Sequence, residues 1–321
     1  MSEQPGDDGP QYLDPETYRR LAGFDCDWRD TWWNEDFLRF VLERWSKRPG
    51  GPVVDTLLDI GCGAGHWGRL IARVLPGSPR LLGIDREAHF VELATEQARS
   101  HGIADRCEYR QATAEALPFD DDSVDLVTCQ TVLIHVADAG NALREMIRVV
   151  RPGGFILAAE PDNLTSTASL LSIHPGPARE DLLALLELQM ICERGKVELG
   201  EGDSSIGSRL PGLFQEAGLE GVAVVLNEKC PVLLPPYDQG EQPVQLAMEL
   251  ELARSDCALF TAEHDDTLRW FRAGGGREAD FPGHWDRVLA YLRQFEANIA
   301  ARRLHGPRGQ VFYLVAGTHP R

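Results

Sequence analysis

The residues best suited to chemistry in this 321-residue chain fall at one spacing: Asp59, then Gly61, Gly63 and Gly65 at alternate positions, with Gly68 three residues further on. Glycine reaches positive φ at no steric cost and lets the backbone approach a ligand closely. Leu57, Leu58 and Ile60 make a mostly apolar strand around Asp59 and a helical pattern starts at His66, so the glycines span a strand-to-helix turn whose first helical N–H groups are available to a ligand. Gly63, Gly65 and Gly68 also satisfy the dinucleotide fingerprint G-x-G-x-x-G, a weak signal when alone. A dinucleotide pyrophosphate is a dianion, and an acid two positions before the first loop glycine works against it. Asp59 suits a cation instead.

S-adenosylmethionine is such a ligand, with an ammonium group and a sulfonium on its methionine end. A second acid, Asp85, closes the strand predicted at 80–84, about 20 residues beyond the loop, where a carboxylate can take both ribose hydroxyls of an adenosyl cofactor. Two further segments follow in order: residues 112–119 running into a strand before Gln130, and residues 145–157, a helix end, the turn Arg151-Pro152-Gly153-Gly154 and another strand. On these four segments the chain resembles the class I S-adenosylmethionine-dependent methyltransferases, including the ubiquinone and menaquinone C-methyltransferase type. The resemblance covers about residues 53–162.

The resemblance implies S-adenosyl-L-methionine as cofactor and S-adenosyl-L-homocysteine as product. It places Asp59, Gly61, Cys62 and Gly63 at the turn, Asp85 and Arg86 at the second strand end, Thr113, Ala114 and Glu115 at the adenine, and Gln130 and Thr131 at the methionine part. Asp59 either orients the loop or takes the ammonium through water. Arg86 either lays its guanidinium on the adenine or projects into solvent. Thr113 stands where many members carry an acid toward the adenine amino group; a neutral hydroxyl bonds more weakly, by ~1 kcal/mol, leaving the Ala114 N–H and Glu115 to share the recognition.

For the catalytic step the candidates are His135, Glu160 and His66. His135 reads equally as a pocket-lining or structural imidazole, and His66 as a surface one. Candidate acceptor-side residues are Tyr18, Trp32, Trp33, Asn163 and His174. The tryptophans, with Trp28 and Tyr12, either wall an aromatic pocket near the sulfonium or form the core of an N-terminal cap. Asn163 also reads as a helix cap.

The elements that must position these groups alternate. Strands are predicted near 54–60, 80–84, 106–110, 124–129 and 154–160 with helices between them, which gives an α/β, doubly wound parallel sheet. With the sixth strand at 222–226 and the last at 310–317, the resemblance implies a mostly parallel seven-stranded sheet with an antiparallel last strand, the Rossmann-like methyltransferase fold, plus a helical cap. An antiparallel pair needs no crossover helix, so a long excursion can separate those two strands. The expected segments are an N-terminal helical cap (1–52), the cofactor-binding core (53–162), a helical insertion (163–205), more core (206–230), a helical lid (231–306) and the final strand (307–321). In the cap a short helix starts near Asp14, and a second carries Trp33, Phe37, Phe40, Val41 and Trp45 with Asn34 or Thr31 at its cap. In the first insertion a helix bearing Leu182, Leu183, Leu186, Met190 and Ile191 ends at Gly195. The lid presents Trp285, Val288, Leu289, Leu292, Phe295 and Ile299 on one face. These helices are expected over the carboxyl ends of the strands, where open α/β sheets bind ligands.

A net charge of −18 disfavours a nucleic-acid partner, which demands clustered Lys and Arg. The one basic cluster, Arg302, Arg303, His305 and Arg308, reads as a solvated helix end. Seven cysteines with no C-x-x-C pair read as reduced thiols, and Asp120, Asp121 and Asp122 as a solvated turn rather than a metal site. The polar N-terminus lacks the features of a signal peptide, and no apolar run reaches membrane-spanning length, so a cytoplasmic protein is expected, with no membrane partner. A homodimer is compatible with this reading. The expected activity is methyl transfer to an O, N or C nucleophile of a small molecule by in-line displacement. Its rivals are a non-catalytic S-adenosylmethionine-binding protein and an NAD-dependent oxidoreductase.

Overall fold

The computed structural model describes residues 29, 32–47, 51–169, 173–255, 263–307 and 309–321. In chain order the elements are α1 (Glu35–Ser46), β1 (Thr56–Ile60), α2 (His66–Val74), β2 (Arg80–Asp85), α3 (Ala88–Ser100), β3 (Cys107–Gln111), β4 (Val124–Gln130), α4 (Ala139–Val149), β5 (Val150–Pro161), α5 (Asn163–Ser169), α6 (Arg179–Glu198), α7 (Leu210–Glu216), β6 (Glu220–Leu226), β7 (Val232–Leu233), α8 (Gln242–Arg254), α9 (His264–Ala273), α10 (Phe281–Ala300), β8 (Gly306–Pro307) and β9 (Phe312–Thr318). The described residues form two compact units: those within 32–169, 202–231 and 307–321 make the larger, and Arg29 with those within 173–201 and 232–306 the smaller.

The larger unit is built on a seven-stranded sheet of order β3-β2-β1-β4-β5-β9-β6. β1 to β5 are parallel, and β9 runs antiparallel to both β5 and β6. Strands buried on both faces read as continuous apolar runs, and β1 and β4 are buried along almost their whole length. One face of the sheet packs Ile60, Ile84, Val127, Met146 and Phe214; the other packs Leu57, Leu70, Ile71, Leu126 and Leu314.

Several local expectations shift for physical reasons. The second predicted helix begins after Trp33, because the Asn34 side chain accepts the Asp36 N–H and caps α1. Its buried face is Leu38, Val41 and Leu42, and Phe40 is exposed. Through that face α1 joins the sheet's second core together with Val54 and Leu57, which places it in the larger unit. β5 already starts at Val150, and the expected Arg-Pro-Gly-Gly turn is an irregularity in its pairing with β4, where Gly153 has φ +79. The expected helix near Asp14, with Tyr12, Tyr18 and Trp28, lies outside the described residues.

The smaller unit contains α6, α8, α9 and α10, with a core of Leu185, Leu188, Cys192, Phe271, Phe281, Trp285 and Val288. Gly195 does not end α6, which continues to Glu198. A Cβ at Gly195 would run into the Trp270 carbonyl, and one at Gly274 into that of Ile191. The two glycines therefore serve close approach of α6 and α9. The Arg269 guanidinium pairs with Glu201, which also accepts the Trp270 indole N–H at 2.6 Å. Among the described residues no helix is long and apolar enough to cross a membrane, and no group of three or more His, Cys, Asp or Glu side chains is placed to hold a metal ion.

Glycine positions give a paired prediction. A Cβ at Gly83 on β2 would overlap the Tyr109 ring, whereas one at Gly212 on α7 meets nothing within 4 Å. Gly83→Ala should lower unfolding free energy by about 1–3 kcal/mol through overpacking. Gly212→Ala should raise it by about 0.5–1 kcal/mol, because alanine loses less backbone freedom in a helix. Urea denaturation of the two variants checks both signs.

Candidate functional site

In an open α/β sheet the ligand crevice lies at the carboxyl ends of the strands, where the strand order reverses. Here that point falls between β1 and β4. Ile60 lies opposite Ile84 of β2 and opposite Cys129 of β4, so Gly61, Asp85 and Gln130 stand one step beyond, at the same level on three adjacent strands. The glycine turn is held at that edge by the Cys62 N–H on the Ile84 carbonyl (2.8 Å) and the Gly65 N–H on the Cys62 carbonyl (2.7 Å). Gly61, Gly63 and Gly65 all have positive φ, at 59°, 51° and 75°, the conformation that explains the residue type.

Two carboxylates shape the turn. Asp59 Oδ2 accepts the Gly68 N–H at 2.9 Å, and a Cβ at Gly68 would come within 2.7 Å of that oxygen. Asp59 Oδ1 is buried with no partner. Burial pushes the Asp59 carboxyl up to about 8, opposed by the Gly68 N–H and reinforced by Asp85. Asp85 accepts the Gly63 N–H at 2.9 Å and the Glu87 N–H at 3.0 Å, and burial raises its pKa as well. Gln130 is buried with its side-chain Nε2 unpartnered, and the Thr131 hydroxyl is likewise unpartnered. The edge therefore offers an unused carboxylate oxygen, an unused amide donor and an unused hydroxyl beside bare backbone. That donor set suits a ligand carrying both a cation and a carboxylate, such as the methionine end of S-adenosylmethionine.

The other expected residues sort by place. Arg86 is exposed and pairs with Glu87 at 3.3 Å. Past β3, the Ala112 N–H donates to the Asp85 carbonyl at 3.0 Å, and Thr113 bridges to Ala116, with Thr113 exposed and Ala114 buried. The Glu115 carbonyl accepts from Asn141. His66 is the first residue of α2, and His135 ends a 3₁₀ turn after β4. Glu160 on β5 is completely buried, and burial pushes its carboxyl up to about 7. Its oxygens accept the N–H groups of Val132, Leu133 and Ile134. Trp32 and Trp33 lie 5.2 and 5.9 Å from the Phe312 ring, and Trp33 also packs 5.5 Å from Trp67. His174 belongs to the smaller unit, where it bridges to His305. Tyr18 lies outside the described residues.

Three contributors were not singled out in the sequence. Asp162, not Asn163, caps α5: its Oδ1 accepts the Thr165 N–H at 2.8 Å, while the buried Asn163 Oδ1 has no partner. The signal was present, since an Asp before an Asn-Leu-Thr helix start is itself a cap candidate. Trp67 donates its indole N–H to Thr128, whose hydroxyl donates to the Leu157 carbonyl, both at 2.8 Å. Val132 packs on Gly61, where an added Cβ would lie 2.5 Å from its Cγ2. These last two are contacts between distant elements and have no local signature.

A family model described as a methyltransferase domain matches residues 58–158. Over 192 residues the chain is 30% identical to the ubiquinone/menaquinone biosynthesis C-methyltransferase UbiE of Vibrio vulnificus, covering 58% of this chain and 70% of that relative. The chain belongs to the class I S-adenosylmethionine-dependent methyltransferases. S-adenosylmethionine is the cofactor of this methyltransferase family, and the edge just described fits it. The relative of the same name from Hahella chejuensis is 38% identical over 122 residues, 38% of this chain and 47% of the relative, so the chain spans about half the length of that protein. Among solved structures, the YcgJ protein of Bacillus subtilis aligns with a TM-score of 0.45 and 20% identity over 83% of this chain and 92% of its own.

The raised carboxyls set a pH dependence. Asp59 moves from 3.8 to about 8 and Glu160 from 4.5 to about 7, so between the unfolded and folded values the native state binds more protons than the unfolded chain. Stability is therefore lost as pH rises through that window. The urea midpoint of the ligand-free protein should fall from about pH 5 to about pH 8, and Asp59→Asn should flatten the slope.

Proposed function

We propose that this protein transfers the methyl group of S-adenosylmethionine to an O, N or C nucleophile of a small molecule by in-line displacement. The observation that carries the reading is the convergence of Asp59, Asp85 and Gln130 on the glycine turn, an arrangement of buried acids and an amide donor that complements an adenosyl sulfonium. The UbiE relatives are named for ubiquinone and menaquinone biosynthesis, which favours a small acceptor, as does the net charge of −18, which repels a phosphate backbone.

When bound, the cofactor supplies an electrophilic methyl group on sulfur. The chain's own part is binding and orientation. Asp85 takes the ribose hydroxyls with the lone pairs its two backbone donors leave free. Asp59 and Gln130 engage the ammonium and carboxylate of the methionine end, assisted by Thr131 and the N–H groups of Cys62 and Gly63. Ala114, Thr113 and Glu115, with Arg86 across from them, border the adenine. Trp32, Trp33 and Asn163 face the acceptor, where apolar rings exclude water and leave the nucleophile poorly solvated. For a hydroxyl acceptor, His135 is the proton acceptor, with His66 as the second candidate. Orientation of the two reactants carries most of the rate in such a transfer, so loss of one base is tolerated better than loss of the binding edge.

Thermal shift and calorimetry with S-adenosylhomocysteine, alongside NAD, test the reading. Binding of S-adenosylhomocysteine with no response to NAD is expected, and Asp85→Asn should weaken it by about tenfold or more, the loss of charge-assisted bonds to two hydroxyls. Stabilisation by NAD alone overturns the assignment. A mass-detected methyl transfer to a panel of phenols, quinols and amines then identifies the acceptor class.

A further inference from the structure

Among the described residues, Glu160 is a wholly buried carboxylate near the β4 exit whose purpose the binding edge does not explain. Its Oε1 accepts the N–H groups of Val132 at 2.9 Å and Leu133 at 3.0 Å together with the Cys129 thiol at 3.6 Å, and its Oε2 accepts the Ile134 N–H at 3.3 Å. Successive backbone N–H groups converging on one point make an anion-binding concavity. In this chain the anion in that concavity is the protein's own side chain, sent from the neighbouring strand β5.

The segment held this way is under conformational demand. Thr131 has φ +57, a left-handed conformation that a β-branched residue rarely adopts. Its N–H donates to the Ala159 carbonyl at 3.0 Å, and the His135 N–H donates to Val132 at 2.9 Å. From the other side Gly202 closes on the segment, since a Cβ there would run into the Ile134 carbonyl. The side chain that emerges toward the cofactor turn is Val132, in tight contact with Gly61. A continuous line of contacts thus runs from the Glu160 carboxylate, through the backbone of residues 132–134, to the glycine whose neighbour Gly63 is tied to Asp85.

We infer that Glu160 is a positioning residue: by holding the N–H groups of Val132, Leu133 and Ile134 it fixes Val132 against Gly61, and so sets the gap between the glycine turn and Gln130–Thr131 in which the methionine end of the donor binds. The inference rests on the donor site proposed above and deepens it. Both carboxylate oxygens are already engaged and no part of the residue is exposed, which suits a part in the wall of the site and not contact with the acceptor. A role confined to fold stability would leave ligand affinity unchanged in variants that still fold.

The test is a double-mutant cycle on the full chain, read by calorimetry with S-adenosylhomocysteine. Glu160→Gln keeps the shape and one acceptor oxygen but sets an amide N–H₂ against the Ile134 N–H; affinity should fall about tenfold. Val132→Ala removes the contact with Gly61 and should lower affinity about threefold, with the fold retained. Because both act through the same link, the double variant should bind about as weakly as Glu160→Gln alone. In turnover the donor KM should rise in both single variants by more than kcat falls. Wild-type affinity in folded Glu160→Gln overturns the inference, as do effects that multiply in the double variant. If Glu160→Gln fails to fold, Val132→Ala decides, and unchanged affinity there overturns it. A wild-type protein that does not bind S-adenosylhomocysteine would instead refute the donor site itself.

Discussion

Backbone amides that leave the carboxyl edge of a sheet lose the ladder that satisfied them, and buried ones must find another acceptor. Here the acceptors are acids set into the strand tips. Asp59 on β1 serves Gly68, Asp85 on β2 serves Gly63 and Glu87, and Glu160 on β5 serves Val132, Leu133 and Ile134. A buried carboxyl that accepts these N–H groups satisfies donors that would otherwise stay unpaired, so each acid fixes the path of the loop beyond it. The arrangement concentrates negative charge in a poorly solvated place. Asp85 pushes the Asp59 carboxyl further up, with Arg69 the cation acting against this. A positively charged ligand relieves that repulsion, so what makes the loops rigid also makes the edge selective.

The hydrophobic architecture follows from the same sheet. Since β1 and β4 lie at its centre, both faces are apolar, and helices on either side are held by burial rather than by hydrogen bonds. Glycine appears where backbone must come close. Gly83 lies under the Tyr109 ring and Gly61 against Val132, while in the smaller unit Gly195 and Gly274 bring α6 and α9 together. Each is a place where one methyl group would force two elements apart.

Much of this could be read from the sequence because the relevant signals are local. The acid-glycine turn, the acid ending β2 and the alternation of strands and helices depend on neighbours within a few residues, and residues 57–60 announce a buried strand by composition alone. The antiparallel last strand came from the resemblance to a family, since no local pattern gives strand direction. Features that depend on distant partners were hidden. Glu160 looked like a candidate for chemistry because its type and position were visible, but the backbone donors that engage it lie 26 to 28 residues away. Gly195 read as a helix end, since glycine usually ends helices, and only the Trp270 carbonyl opposite explains its presence within α6. Phe40 matched the helical spacing of the buried face, yet Leu38 and Leu42 occupy it.

The placement of β9 bears on the order in which the molecule can be assembled. It sits between β5 and β6, yet more than eighty residues, from Leu226 to Phe312, separate it from β6. During synthesis on the ribosome, β1 to β5 can pair as they emerge, but β6 has no neighbour to join until β9 arrives. Until then the inner edge of β5 is open, with unpaired N–H and C=O groups of the kind that recruit foreign strands. Closure of the sheet is a long-range event that waits for β9.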